Sequence, residues 1–106
     1  MLANTSVATL PVLLLEAVEL FPVGEVTYSP EALASLHESK CDRFDLLRQH
    51  QCGTLWAEQP HLEMQNLAAI TNGQWIASSF DLRNGRTLWF FTEPNRATTI
   101  AELEEP

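Results

Sequence analysis

The residues with the types to do chemistry are His50, Arg96, Thr98 and Thr99, with Ser78 and Asn66 placed near them by the expected fold. Cleavage of RNA through its 2′-hydroxyl needs a base, an acid and a cation over the phosphate. His50 has the chemistry of the base or the acid, Arg96 that of the cation, and Thr98 offers a hydroxyl. Each also has a plainer role. His50 suits a helix C-terminus, where its protonated ring meets the dipole. Arg96 suits a bridge to Glu93 or a hold on turn carbonyls, and Asn66 a bond to a loop. Thr98 and Thr99 favour a strand in any case. His37 and His61 have no fixed role beside His50, so the sequence assigns no catalytic residue outright. No metal site is expected: Glu31, Glu38, Asp42 and Asp45 read as a solvated helical face, and carboxylate–histidine ligand spacing is absent. Cys41 and Cys52 form no Cys-x-x-Cys pair; a disulfide between them is possible but unforced, and they read as reduced thiols. Four glycines build no phosphate-cradling loop, and no cofactor is expected.

These groups need a frame. At 106 residues with 45% hydrophobic content, the chain reads as a single domain, 1–106. Six basic against fourteen acidic residues give a net charge of −8, which disfavours direct nucleic-acid binding and suits a basic partner. The frame centres on Gln74 to Thr92, read as one β-hairpin turning at Asn84-Gly85, a pair that favours a two-residue type I′ turn. That loop makes Arg83 face Arg86, Leu82 oppose Thr87, Phe80 oppose Trp89, and Ser78 oppose Phe91. One face then carries Ile76, Ser78, Phe80, Leu82, Thr87, Trp89 and Phe91. The other carries Trp75, Ala77, Ser79, Asp81, Leu88, Phe90 and Thr92. It is apolar enough to expect binding there through Trp75, Leu88 and Phe90, with Trp56 as a further candidate.

Around the hairpin, Thr98 to Leu103 reads as a last strand antiparallel to Arg86–Thr92. Val23 to Tyr28 reads as a short strand at an edge. Ser29-Pro30-Glu31 starts a helix that buries Leu33 and Leu36. Asp42 caps the next, with Phe44, Leu46 and Leu47 on its apolar side, ending before Gly53. Pro60 opens a third, with Met64, Leu67, Ala68 and Ile70 facing the sheet, closed by Asn72-Gly73. Ahead of these, residues 1–22 form an extension whose apolar helix, Pro11 to Phe21, is stopped by Pro22. It covers the second face of the sheet or pairs with its copy. This segment lacks a basic leader, carries Glu16 and Glu19, and is too short to span a bilayer, so a cytoplasmic protein is expected. The class is α+β: helices packed on a C-terminal antiparallel meander of three to four strands, with the core at residues 23–103.

From about Val23 to Ile100 the order of motifs resembles a family of small proteins labelled only "plasmid-related". The likeness rests on Gly24-x-Val26, then Ser29-Pro30-x-Ala32-Leu33, then a leucine-rich helix ending in His50-x-x-Gly53 with Trp56 following. Asn66 and Ala69 come next on a helix, then Gly73 and Ile76-Ala77-Ser78. Last are Trp89, Thr92-Glu93, Arg96 and Thr98-Thr99. Trp75 stands where the relatives usually carry arginine, one extra residue separates Gly53 from Trp56, and Ala101-Glu102-Leu103 replaces their Leu-Leu-Pro ending. The resemblance implies carriage on plasmids and other mobile DNA and implies no defined activity. With the charge, it leads to the expectation of a non-enzymatic acidic interaction protein, an inhibitor of a host restriction or CRISPR effector in its sharpest form, acting on a protein partner and self-associating as a homodimer. The alternatives are a ribonuclease-like toxin of barnase or RelE type, by analogy of fold alone, and a purely structural homo-oligomer.

Overall fold

The computed structural model describes residues 18–105. Of the expected N-terminal helix, positions 11–17 lie outside the described residues, and 18–21 take no regular secondary structure. The elements run β1 (Glu25–Tyr28), α1 (Pro30–Glu38), α2 (Arg43–Cys52), a 3-10 turn (Trp56–Glu58), α3 (Pro60–Asn72), β2 (Ile76–Asp81), β3 (Thr87–Thr92) and β4 (Thr98–Leu103). The fold is α+β. One four-stranded mixed sheet has the order β1-β4-β3-β2, with β1 parallel to β4 and the other pairs antiparallel.

Local chemistry sets the helix ends. Ser29 Oγ accepts from Ala32 N–H at 3.1 Å, and Asp42 Oδ1 from Phe44 N–H at 2.9 Å, each satisfying a donor that the first turn leaves open. Pro30 and Pro60 occupy first-turn positions, where no N–H is missed. Gly53 and Gly73 end α2 and α3 in the left-handed conformation.

The hairpin departs from expectation by one residue. Leu82 N–H donates to the Arg86 carbonyl at 2.8 Å, and Gly85 N–H to the Leu82 carbonyl at 3.0 Å. The loop is therefore Arg83-Asn84-Gly85. Gly85 alone of the three has positive φ, at 87°. A type I′ turn would need Asn84 there as well. Instead Asn84 is held by α1: its N–H donates to Ser39 Oγ at 3.2 Å and its Nδ2 to Glu38 Oε1 at 2.8 Å. The pairing becomes Phe80 with Leu88, Ser78 with Phe90 and Ile76 with Thr92.

A one-residue shift turns every β3 side chain over. Leu88, Phe90 and Thr92 face the helices and are fully buried, while Trp89 and Phe91 stand half-buried on the opposite face. Leu88 and Phe90, expected on a binding face, are core residues instead. Phe80, Leu82, Leu88, Phe90 and Ala101 pack against Ala32 and Leu36, with Tyr28, Leu46 and Leu47 around them. Phe21, Trp56, Ala69 and Ile76 form a second cluster.

The helices are also rotated from the expected faces. On α3, Met64 is 72% exposed and Leu67 50%, Ala68 is exposed, and Asn66 and Ala69 are buried with Ile70 beside them. Phe44 on α2 and Leu33 on α1 are exposed, leaving Leu46, Leu47, Ala32 and Leu36 to fill the core.

Candidate functional site

The strands and α2 carry a chain of polar side chains into the core. Thr99 Oγ1 donates to the Val23 carbonyl at 2.8 Å. A carbonyl only accepts, so the single Thr99 hydroxyl proton is committed there. The 2.7 Å contact between Thr92 Oγ1 and Thr99 Oγ1 is then a donation from Thr92. Thr92 in turn accepts from His50 Nε2–H at 2.8 Å. That leaves His50 Nδ1 as an acceptor, met by Ser78 Oγ–H at 2.7 Å. Ser78 Oγ also accepts from Trp56 Nε1–H at 2.8 Å. Donor and acceptor counts close with a neutral imidazole in the Nε2–H form, and every proton points from Trp56 toward Val23.

His50 has no exposed surface. Its ring stacks on Phe90 at 5.4 Å between centroids and meets the edge of Phe21 at 5.0 Å. Burial without a counter-charge penalises the imidazolium and pushes the pKa down to about 3. Gly53 makes the enclosure possible. It ends α2 at φ 65°, and a Cβ there would lie 2.7 Å from the Trp56 ring.

Chemistry on a phosphodiester requires a base that reaches substrate. His50 is sealed, and both of its nitrogens are engaged. Arg96 does not stand over a phosphate site. Its Nη1 donates to the carbonyls of Gln74 and Glu93 at 2.6 and 2.9 Å, and its Nη2 to that of Ala69 at 2.9 Å. It clasps the C-terminal end of α3 to the β3–β4 turn, where a cation also meets the helix dipole. Thr98 alternates with the buried Thr99 along β4 and lies on the other side of the sheet from His50. The structure gathers His50, Ser78 and Thr99, and adds Thr92 and Trp56, as a structural network. It leaves Arg96 and Thr98 elsewhere. Trp56, a candidate for a binding surface, is 3% exposed and belongs to that network. Asn66 bonds a strand edge, not a loop: its Nδ2 donates to the Ala77 carbonyl at 2.7 Å and its Oδ1 accepts from Ala77 N–H at 3.1 Å.

Among the described residues, the face of the sheet turned away from the helices is uncovered. Ala77, Ser79, Asp81, Thr87, Trp89, Phe91, Thr98, Ile100 and Glu102 lie on it by strand alternation, with Glu25 and Thr27 of β1 continuing the row. Trp89 and Phe91 stack with centroids 5.6 Å apart and planes 6° from parallel. The Trp89 indole N–H donates to Glu104 Oε1 at 2.8 Å. Glu25, Asp81 and Glu102 bring carboxylates to this face, and no strand position on it carries Lys or Arg. Trp75 is 51% exposed just before β2.

Among the described residues, no group of His, Cys, Asp and Glu side chains is placed to hold a metal ion, and no helix is long and apolar enough to cross a membrane. Cys41 and Cys52 are free, half-buried thiols. No protein-family model, no curated protein and no solved structure matches the chain.

The sequence reasoning missed Trp89 and Phe91 as surface residues and Thr92 as a partner of His50. A signal for the network was present: Ser78 interrupts an apolar row between Ile76 and Phe80 on a strand, and a polar residue at a buried position needs a partner.

Proposed function

We propose that this chain is a non-enzymatic, acidic interaction protein that binds a basic protein partner through the open face of its sheet. The observation that carries the reading is the Trp89–Phe91 stack set among Glu25, Asp81 and Glu102, with no Lys or Arg at the strand positions of the same face. Stacked aromatics offer apolar area at little entropic cost and attract guanidinium groups, while the carboxylates steer a cationic surface into place. Sealing of His50 speaks against the ribonuclease reading. The motif resemblance supports carriage on mobile DNA, and the net charge of −8 supports the sharper form, an inhibitor that occupies a basic nucleic-acid site on a host defence effector. A cytoplasmic setting follows from that role. The half-buried apolar centre of the open face also supports a homodimer, with Trp75 at its margin.

The test is affinity capture of the tagged full chain from host lysate at two salt concentrations, beside a Trp89→Ser, Phe91→Ser variant. A stoichiometric basic partner that is lost in the variant and released as salt rises is the expected result. A partner held equally by the variant overturns the assignment of the open face.

A further inference from the structure

The two edges of a sheet expose backbone groups that another chain can pair with. β2 is an edge strand. In its antiparallel ladder with β3, the Leu82–Arg86 hydrogen bond sets the alternation: Leu82, Phe80, Ser78 and Ile76 bond inward. Ala77, Ser79 and Asp81 therefore turn their N–H and C=O outward. The Asn66 side-chain amide satisfies both groups of Ala77, as a neighbouring strand would. The edge is thus closed at Ala77, and Ser79 and Asp81 have no backbone partner on that side among the described residues.

Beside those two residues lies a groove of about 290 Å³ between the edge and the helical layer, lined by Leu46, Leu55, Phe80, Gln49 and Glu58. Leu55 is 38% exposed. A strand laid on the edge alternates its side chains between this groove and the open face. The groove side sets Leu46, Leu55 and Phe80 among the polar Gln49, Glu58 and Gln59, and the open side is acidic at Asp81, with no Lys or Arg among the lining residues. A second copy is disfavoured as occupant, because it sets an edge that carries Asp81 and Glu58 and no Lys or Arg against the same carboxylates.

We propose that the outer edge of β2 from Ser79 to Asp81, with the groove beside it, receives an extended segment of a partner protein as an added strand, one that carries apolar and basic residues. Asn66 sets where this strand begins. The inference rests on the reading that the chain works by binding a basic partner, and it names the form that part of the partner takes.

The probe is a blocked peptide of alternating arginine and valine, titrated into the full-length chain and followed by backbone NMR and amide hydrogen exchange. Binding is expected to slow exchange at Ser79 and Asp81 by roughly tenfold or more. Methylating alternate peptide nitrogens, which removes the pairing donors and keeps the charge, should weaken binding by roughly tenfold. Ser79→Pro, which deletes an outward N–H of an edge strand, should do the same. Should that variant fold poorly, the methylated peptide on the native chain carries the test. Four results overturn the inference: no binding, binding indifferent to methylation, protection elsewhere than Ser79 and Asp81, or protection there without peptide that grows with protein concentration, as a second copy would give. Perturbation confined to Trp89, Phe91 and Ile100 overturns the edge while upholding the open-face reading.

Discussion

His50 is held where an ionised ring would have no solvent and no counter-charge. Its native pKa lies at about 3 against an ordinary value of 6.5, so between these values the unfolded chain binds a proton that the native chain refuses. Stability is then present in full above about pH 6.5 and falls as pH drops through the window, at about 1.4 kcal/mol per pH unit from this group. Urea unfolding at several pH values should show that slope. His50→Leu, less stable at neutral pH because Ser78 and Thr92 lose a partner, should lack His50's share of it. Equal slopes for the two proteins would mean that the native ring titrates normally. At this scale the sequence is informative about which residues matter and silent about how. His50, Ser78 and Thr99 are recognisable as polar groups that the fold collects. That they satisfy one another, and nothing outside, depends on Thr92 facing inward, which spacing alone does not determine.

Most of the elements are legible because their ends carry chemistry of their own: Ser29-Pro30, Asp42, Gly53, Pro60 and Asn72-Gly73 each mark a terminus that the structure retains. The β3 register is not legible. Leu88 and Phe90 on one face are as apolar as Trp89 and Phe91 on the other, so alternation names no buried side. The deciding contacts, Asn84 to Ser39 and Glu38, span 45 and 46 residues. The face of α3 is hidden for a similar reason, since Asn66 is worth burying only beside the edge of β2. The register makes a sharp expectation. Phe90→Ala should cost about 3–5 kcal/mol, as for a truncated core aromatic, and Phe91→Ala about 1 kcal/mol or less, as for a half-exposed position. Chemical denaturation of the two variants separates the registers, because a two-residue hairpin loop demands the reverse order.

Across the described residues the molecule is a sheet with one face given to the core and the other left open, its helices tied down by a few long-range polar contacts. The chain of hydroxyls around His50 joins α2, the 3-10 turn, β2, β3, β4 and the segment before β1, and its last bond connects Val23 to Thr99 across 76 residues. Contacts between such distant positions carry a loop-closure cost that must be met before they stabilise anything. The expected outcome is that the network closes late on the folding route, a latch behind the transition state. Thr99→Val should leave the refolding rate nearly unchanged and accelerate unfolding by the whole of its equilibrium cost, which a stopped-flow chevron measures directly. The consequence is kinetic: the groups that give this core its polar interior also set how long the native state, once reached, persists.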